Sequence, residues 1–319
     1  MIVPCEGSAG AFKMIIKSLA TCLLLAIAVL HGPGTGPGVI PNAVRAGLTD
    51  DTKAAPSGPN DACAGVTLSR NVKYGDSERN VLDVATTAEK VLAPRPVLLF
   101  VAGESFVDDG GATAATLRDQ AMCLAAQNGL VGVTMIYRLA PTDPWPAGAR
   151  DVAAAISWIH QNIDLLGGDQ QAVVAVGYSV GAFHLASLLA HKELQNTDSE
   201  IAGAILISGI YRAGEETGDG ARSYFGADAN KYDARSVFPG ILAVDEPIVL
   251  AWSSADTPDL VAQAEKLKQR LCGAGHCPRT AVLSSRFSPA SVFGLDGTGE
   301  SLAGRTQQLI SQIQTRGLP

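Results

Sequence analysis

The chain has 319 residues and a formal net charge of −7, with 47% hydrophobic and 17% charged residues. That balance supplies a sizeable core and excludes a disordered chain. With no basic cluster interleaved with aromatics, it also argues against a nucleic-acid partner.

The length suits one large domain with an extension, or two small domains. Lys13 and Lys17 precede an apolar run from Leu19 to Leu30. That run is too short to span a bilayer comfortably, and a basic stretch followed by an apolar one describes a secretory signal. Met14 is an alternative start, and Val44-Arg45-Ala46 offers small residues for cleavage. Residues 1–46 are therefore read as an export segment, with an uncleaved N-terminal anchor as the alternative. The expected location is periplasmic or secreted, and membrane contact is expected through that segment alone. From Gly32 to Asn60 the chain is rich in Gly, Pro and Ala, the composition of a flexible lead-in. Residues 47–62 are read as linker and 63–319 as the folded domain.

Cysteine usage fits export: Cys63, Cys123, Cys272 and Cys277 lie in the domain, an even number that allows disulfides. Cys272 and Cys277 are the expected pair. Zinc is the rival there, with His276 as a further ligand, but no C-x-x-C or second histidine supports it, and metal is rejected. No G-x-G-x-x-G follows a strand, so no nucleotide or flavin cofactor is expected.

Two short strands, Val66 to Tyr74 and Val81 to Thr86, flank a polar turn. Pro96 to Val101 reads as a buried strand, Gly103 to Gly111 as a polar loop, and a helix follows to Asn128. Leu130 to Ile136 is another buried strand, and Tyr137 to Pro146 a Pro-rich loop. Asp151 begins a helix with apolar residues at Val152, Ala155, Ile156, Ile159 and Ile163, a 3.6-residue period. Further on come a strand at Ala204 to Ile207 and an irregular stretch from Tyr211 to Glu246 that would cover the site. Strands at Ile248 to Trp252 and Thr280 to Leu283, and helices at Pro258 to Leu271 and around Leu302 to Ile313, complete the pattern. Strands alternating with helices of this length imply an α/β fold: a mostly parallel sheet of about eight strands with helices on both faces.

The centre of the chain is Ala172 to Ala190. Val173, Val174 and Val176 form a strand buried on both faces, Gly177-Tyr178-Ser179-Val180-Gly181 follows, and an apolar helix runs on from Ala182. Strand, G-x-S-x-G and helix in that order make a nucleophile elbow, with Ser179 on a sharp strained turn. Gly177 and Gly181 let strand and helix approach closely.

Several stretches together resemble the α/β-hydrolases of the bacterial carboxylesterase group, relatives of hormone-sensitive lipase and kynurenine formamidase. They are Gly75 to Val84 ending R-N-V-L-D-V, Tyr137-Arg138-Leu139-Ala140-Pro141 with Trp145-Pro146-Ala147 and Asp151, Gly167-Gly168-Asp169, and Ser208-Gly209-Ile210-Tyr211. The resemblance runs from about Val66 to the C-terminus. It implies Ser179 as nucleophile and Asp256 in W-S-S-A-D-T-P-D as the acid that orients the base. Asp259 is a lesser candidate, and a helix N-cap is the structural reading of Asp256. The family places its histidine after the last strand, where this chain reads Leu283-Ser284-Ser285-Arg286-Phe287-Ser288; Ser288 holds the histidine's position. His184, five residues past Ser179, is read as a packed helix histidine. The family's H-G-G oxyanion loop is here Ala102-Gly103-Glu104, so Gly103 and Glu104, with the N–H of Val180, are the expected oxyanion site. A Glu104 carboxylate turned inward would oppose developing negative charge; a solvent-facing acid is the alternative. The resulting expectation is a serine esterase of small acyl esters weakened by loss of its base. The alternative is a silent pseudo-hydrolase that binds a small molecule or a protein.

Overall fold

The computed structural model describes residues 63–88, 93–103, 105–214, 219–295 and 300–316. The candidate export segment, the linker and Glu104 lie outside the described residues. Central strands form where apolar residues run without interruption: β3 (Arg95–Val101), β6 (Gly203–Ile207) and β7 (Ile248–Ser253) are buried along their whole length. Such runs fit a parallel sheet covered on both faces. With β1 (Val66–Lys73), β2 (Val81–Thr87), β4 (Val131–Ile136), β5 (Gly168–Tyr178) and β8 (Arg279–Leu283), they form one sheet in the order β1-β2-β4-β3-β5-β6-β7-β8. β1 pairs with β2, and β2 with β4, antiparallel; every pairing from β4 to β8 is parallel.

Alternation along the strands builds two cores. Val97, Leu99 and Val101 face one side, against the helices α2 (Ala147–Asn162), α3 (Val180–Ala190) and α6 (Pro258–Gly273). Leu98, Phe100 and Ala102 face the other, against α1 (Gly111–Gln127) and α7 (Glu300–Arg316). The strand order reverses between β3 and β5, which opens a crevice at their carboxyl ends, where open α/β sheets bind ligands. Gly103 follows β3 and Ser179 follows β5 at that crevice.

Two boundaries depart from the sequence expectation. α2 begins at Ala147, four residues before Asp151, because the chain turns into the helix directly after Pro146, its N-cap residue. Asp151 instead lies inside the helix, 3% exposed, and accepts hydrogen bonds from the Arg138 backbone N–H (2.8 Å), Nε (2.9 Å) and Nη2 (2.7 Å). The Y-R-L-A-P and Asp151 elements of the resemblance are thus a half-buried ion pair that ties the loop after β4 to α2. The stretch from Tyr211 to Glu246 is not irregular throughout: it holds the short helices α4 (Asp219–Phe225) and α5 (Tyr232–Arg235). Tyr224 of α4 stacks on Phe106 in the loop after β3, with ring centroids 4.6 Å apart, so the insertion rests on that loop.

The expected Cys272–Cys277 disulfide is formed, and Cys63 is bonded to Cys123 across a separation of 60 residues. The second bridge pins the entry to β1 onto α1.

Candidate active site

At the end of β5 the chain must reverse from strand to helix within one residue. Ser179 does this at φ 53°, ψ −120°, a backbone conformation costly for a residue with a Cβ. Its carbonyl accepts from the N–H groups of Ala182 (3.0 Å) and Phe183 (3.3 Å), so Ser179 caps α3, while its own N–H donates to Ile207 O at 2.9 Å. The turn closes only because side chains are missing beside it. A Cβ on Gly177 would lie 2.6 Å from Ala182 Cα, and one on Gly181 2.0 Å from Val101 O. A Cβ on Gly103 would lie 2.2 Å from Gly181 N. The loop after β3 is therefore pressed onto the elbow, with Gly103 against Val180 and Gly181. Val180 opens α3, so its N–H has no acceptor within the helix. The N-terminus of α3 is also the positive end of the helix dipole, an environment that favours negative charge. Ser179 is half-buried, and its Oγ has no hydrogen-bond partner among the described residues.

Asp256 stands in the turn after β7. Its Oδ2 accepts from Ser208 Oγ at 2.6 Å and from Ser253 N–H at 2.8 Å. It is not the N-cap of α6; that position is Thr257. Asp259 is exposed in the helix's first turn, which removes it as a substitute. Ser288 is the N-cap of a 3₁₀ turn, Pro289–Val292, and its carbonyl accepts from Ser291 Oγ at 2.6 Å. The loop that carries Ser288 lies over the elbow strand: the ring of Phe287 packs 4.5 Å from that of Tyr178, the neighbour of Ser179. The Asp256 and Ser288 loops are also joined, since Ser253 Oγ donates to Ser285 O at 2.6 Å and Ser254 Oγ to Ser284 O at 3.3 Å. Elbow, Asp256 loop and Ser288 loop thus converge at one end of the sheet. Ser208, which the sequence marked only as part of the resembling stretch Ser208-Gly209-Ile210-Tyr211 and gave no site role, belongs with them.

His160, His184 and His191 have partners elsewhere, and His276 is exposed. His184 is 1% exposed in a box of Phe106, Tyr137, Phe183 and Tyr224, and its Nδ1 lies 3.3 Å from Tyr224 Oη. Complete burial pushes its pKa down to about 3, so it is a neutral packing residue, as expected. His160 Nε2 meets Glu200 O at 2.8 Å, at the opposite end of the sheet from the elbow. His191 ends α3, with Nε2 3.0 Å from Ser236 O. His276 precedes β8 and so lies at the strand's amino end. Among the described residues no group of three or more His, Cys, Asp or Glu is arranged to hold a metal.

Comparison with known proteins bears on the fold and the family. The chain is 39% identical over 121 residues to esterase LipC of Mycobacterium tuberculosis, covering 37% of this chain and 28% of that protein. It is 31% identical over 156 residues to esterase LipQ of the same organism, covering 44% of this chain and 35% of that protein. The match thus spans about a third or less of these relatives' length. Among solved structures, esterase B from Lactobacillus rhamnosis superimposes with a TM-score of 0.65 at 17% identity, covering 80% of this chain and 89% of that one. A bacterial heroin esterase does so with a TM-score of 0.59 at 21% identity, covering 80% and 86%. These likenesses show the fold. A family model described as the alpha/beta hydrolase fold matches residues 98–261, just over half of the chain, and the protein belongs to that family.

Proposed function

We propose that the protein is a carboxylic ester hydrolase of small acyl esters, with Ser179 as nucleophile and the N–H groups near Gly103 and Val180 as its oxyanion site. The observation that carries this reading is the complete elbow: a serine at φ 53°, capped onto α3, with Gly103 of the loop after β3 packed against Val180 and Gly181. The esterases LipC and LipQ support the substrate class. Turnover is weak, because Ser288 holds the histidine's position and no described histidine bonds Ser179. Loss of a triad base costs on the order of 10⁶ in turnover, while an oxyanion site and binding retain about 10³ to 10⁴ over water. Activated esters are then within reach and amides are not. The protein acts after export through residues 1–46, a location with which two disulfides are compatible.

The test is p-nitrophenyl acetate hydrolysis by the protein, Ser179→Ala and Ser288→His. Slow turnover that vanishes in Ser179→Ala, and rises at least tenfold in Ser288→His, is the expected result. A second reading, a silent pseudo-hydrolase that binds without turnover, is favoured by the unpartnered Ser179 hydroxyl. Equal rates in all three proteins would decide for it.

A further inference from the structure

Three non-glycine residues among those described have a positive φ: Asn71, Ser179 and Ser208. Two of the three end adjacent strands at the candidate site. β5 and β6 are in register through Tyr178 and Ile207, so Ser179 and Ser208 are the next residue on each. β7, which leads to Asp256, pairs with the other side of β6. Ser208 therefore stands between the candidate nucleophile and the candidate acid in strand order. Ser208 is 2% exposed and at φ 48°, and its hydroxyl donates to Asp256 Oδ2 at 2.6 Å. That length is characteristic of a charge-assisted O–H···O⁻ bond. Backbone strain of this kind gathers at functional sites, where the surrounding fold holds it in place. A buried serine that needed only a partner for its hydroxyl requires no left-handed backbone.

We propose that Ser208 is the proton acceptor for Ser179, with Asp256 behind it, so that a Ser179–Ser208–Asp256 relay replaces the histidine base. This rests on the reading of Ser179 as nucleophile and deepens it. As Ser179 Oγ bonds to the ester carbonyl carbon, its proton passes to Ser208 Oγ, and the proton of Ser208 passes to Asp256 Oδ2. The carbonyl π pair moves onto oxygen, facing the N–H of Val180. When the bond to the leaving alcohol breaks, Ser208 returns a proton to the departing oxygen and recovers one from Asp256. Water then adds to the acyl group through the same relay, and the proton returns to Ser179 Oγ as the acyl bond breaks and the carboxylic acid leaves. The two hydroxyls do not bond each other in this structure; the contact closes as the acyl group seats, as catalytic hydrogen bonds commonly tighten on binding.

The probe is diisopropyl fluorophosphate on the full chain, with labelling of residue 179 followed by mass spectrometry. One attack suffices: the Ser179 O–P bond forms, P–F breaks, fluoride leaves, and the proton passes through Ser208 to Asp256. The expected result is labelling at a rate nearly level from pH 6 to 9, and slower by on the order of 10²-fold in Ser208→Gly and Asp256→Asn. Ser208→Gly removes the hydroxyl together with the left-handed strain, so its thermal melt should stay near wild type, and Ser208→Ala serves as a second variant. Labelling of both Ser208 variants within twofold of wild type overturns the relay. So does a rate that rises tenfold per pH unit, which makes hydroxide the base, or no labelling of wild type. Ser208-dependent labelling without ester turnover would sink the esterase reading and leave the relay standing; turnover indifferent to Ser208 would do the reverse.

Discussion

The two sides of the site are held by different forces. On the nucleophile side, backbone touches backbone: the added Cβ contacts of 2.0 Å at Gly181, 2.2 Å at Gly103 and 2.6 Å at Gly177 leave no room for any side chain. On the acid side, loops are stitched by serine hydroxyls, Ser208 to Asp256, Ser253 to Ser285 O and Ser254 to Ser284 O. Backbone packing of the first kind fails as a whole when one methyl is added. Side-chain stitching of the second kind tolerates a changed residue at a loop tip. A chain can therefore keep an intact elbow while a serine stands at the position where the resemblance expects histidine.

The sharpest way to break that contrast is Gly181→Ala. The methyl would meet the Val101 carbonyl, which the β3–β5 ladder holds in place, so we expect a loss of about 4 kcal/mol or more. Gly304→Ala in α7 is the control: nothing lies within 4 Å of its Cβ position, and helix propensity predicts an unchanged or slightly raised stability. Denaturant midpoints read both. If Gly181→Ala unfolds at the same midpoint as Gly304→Ala, the elbow is not fixed by backbone contact.

Next in size is the bridge that holds the sheet edge far from the site. Replacing Cys63 and Cys123 by serine opens a loop of 60 residues, and we expect to lose about 2–4 kcal/mol. The Cys272–Cys277 pair, five residues apart, closes a far smaller loop and should cost less. Equal losses would mean that chain entropy is not what these bridges contribute.

Acid should find a third weak point, in the core behind the elbow. His184 titrates near pH 3 in the folded chain and near its ordinary value when unfolded. Between those values the unfolded state binds more protons, so stability rises with pH there and is lost as pH falls below about 6.5. By pH 4.5 the loss is about 3 kcal/mol. Carboxylates titrate in any variant, so the reading is a difference: His184→Gln should lose less stability than wild type between pH 6.5 and 4.5 in parallel melts. Identical slopes would remove His184 from the account.

Legibility in the sequence followed the same division. Strands such as Arg95–Val101 and Ile248–Ser253 announced themselves as unbroken apolar runs, and the elbow as two glycines around a serine between strand and helix. The start of α2 was missed by four residues because the Pro-rich loop hid a helix that opens directly after Pro146. Helices of seven and four residues inside the insertion are shorter than the window in which a 3.6-residue period can be counted. The Cys63–Cys123 pair has no local signature, since connectivity does not follow from spacing. Ser208 was illegible for a further reason: its significance comes from the residue across the ladder and from Asp256, 48 positions away.

The smallest expected effect tests the stitched side itself. Ser253 is fully buried, and its hydroxyl both donates to Ser285 O at 2.6 Å and accepts from Ala255 N–H at 2.9 Å. Ser253→Ala leaves both partners to find water, a loss of about 1–2 kcal/mol. The consequence for function should exceed that figure. Ser253 N–H still holds Asp256, but the loop bearing Ser288 loses its tie to the acid loop, and a histidine introduced at position 288 would no longer be aimed. We therefore expect the gain in ester hydrolysis from Ser288→His to fall several-fold when Ser253→Ala is added, while the double variant melts close to Ser253→Ala alone. A gain that survives intact would show that stacking of Phe287 on Tyr178 suffices to place the loop, and that the serine tie is dispensable.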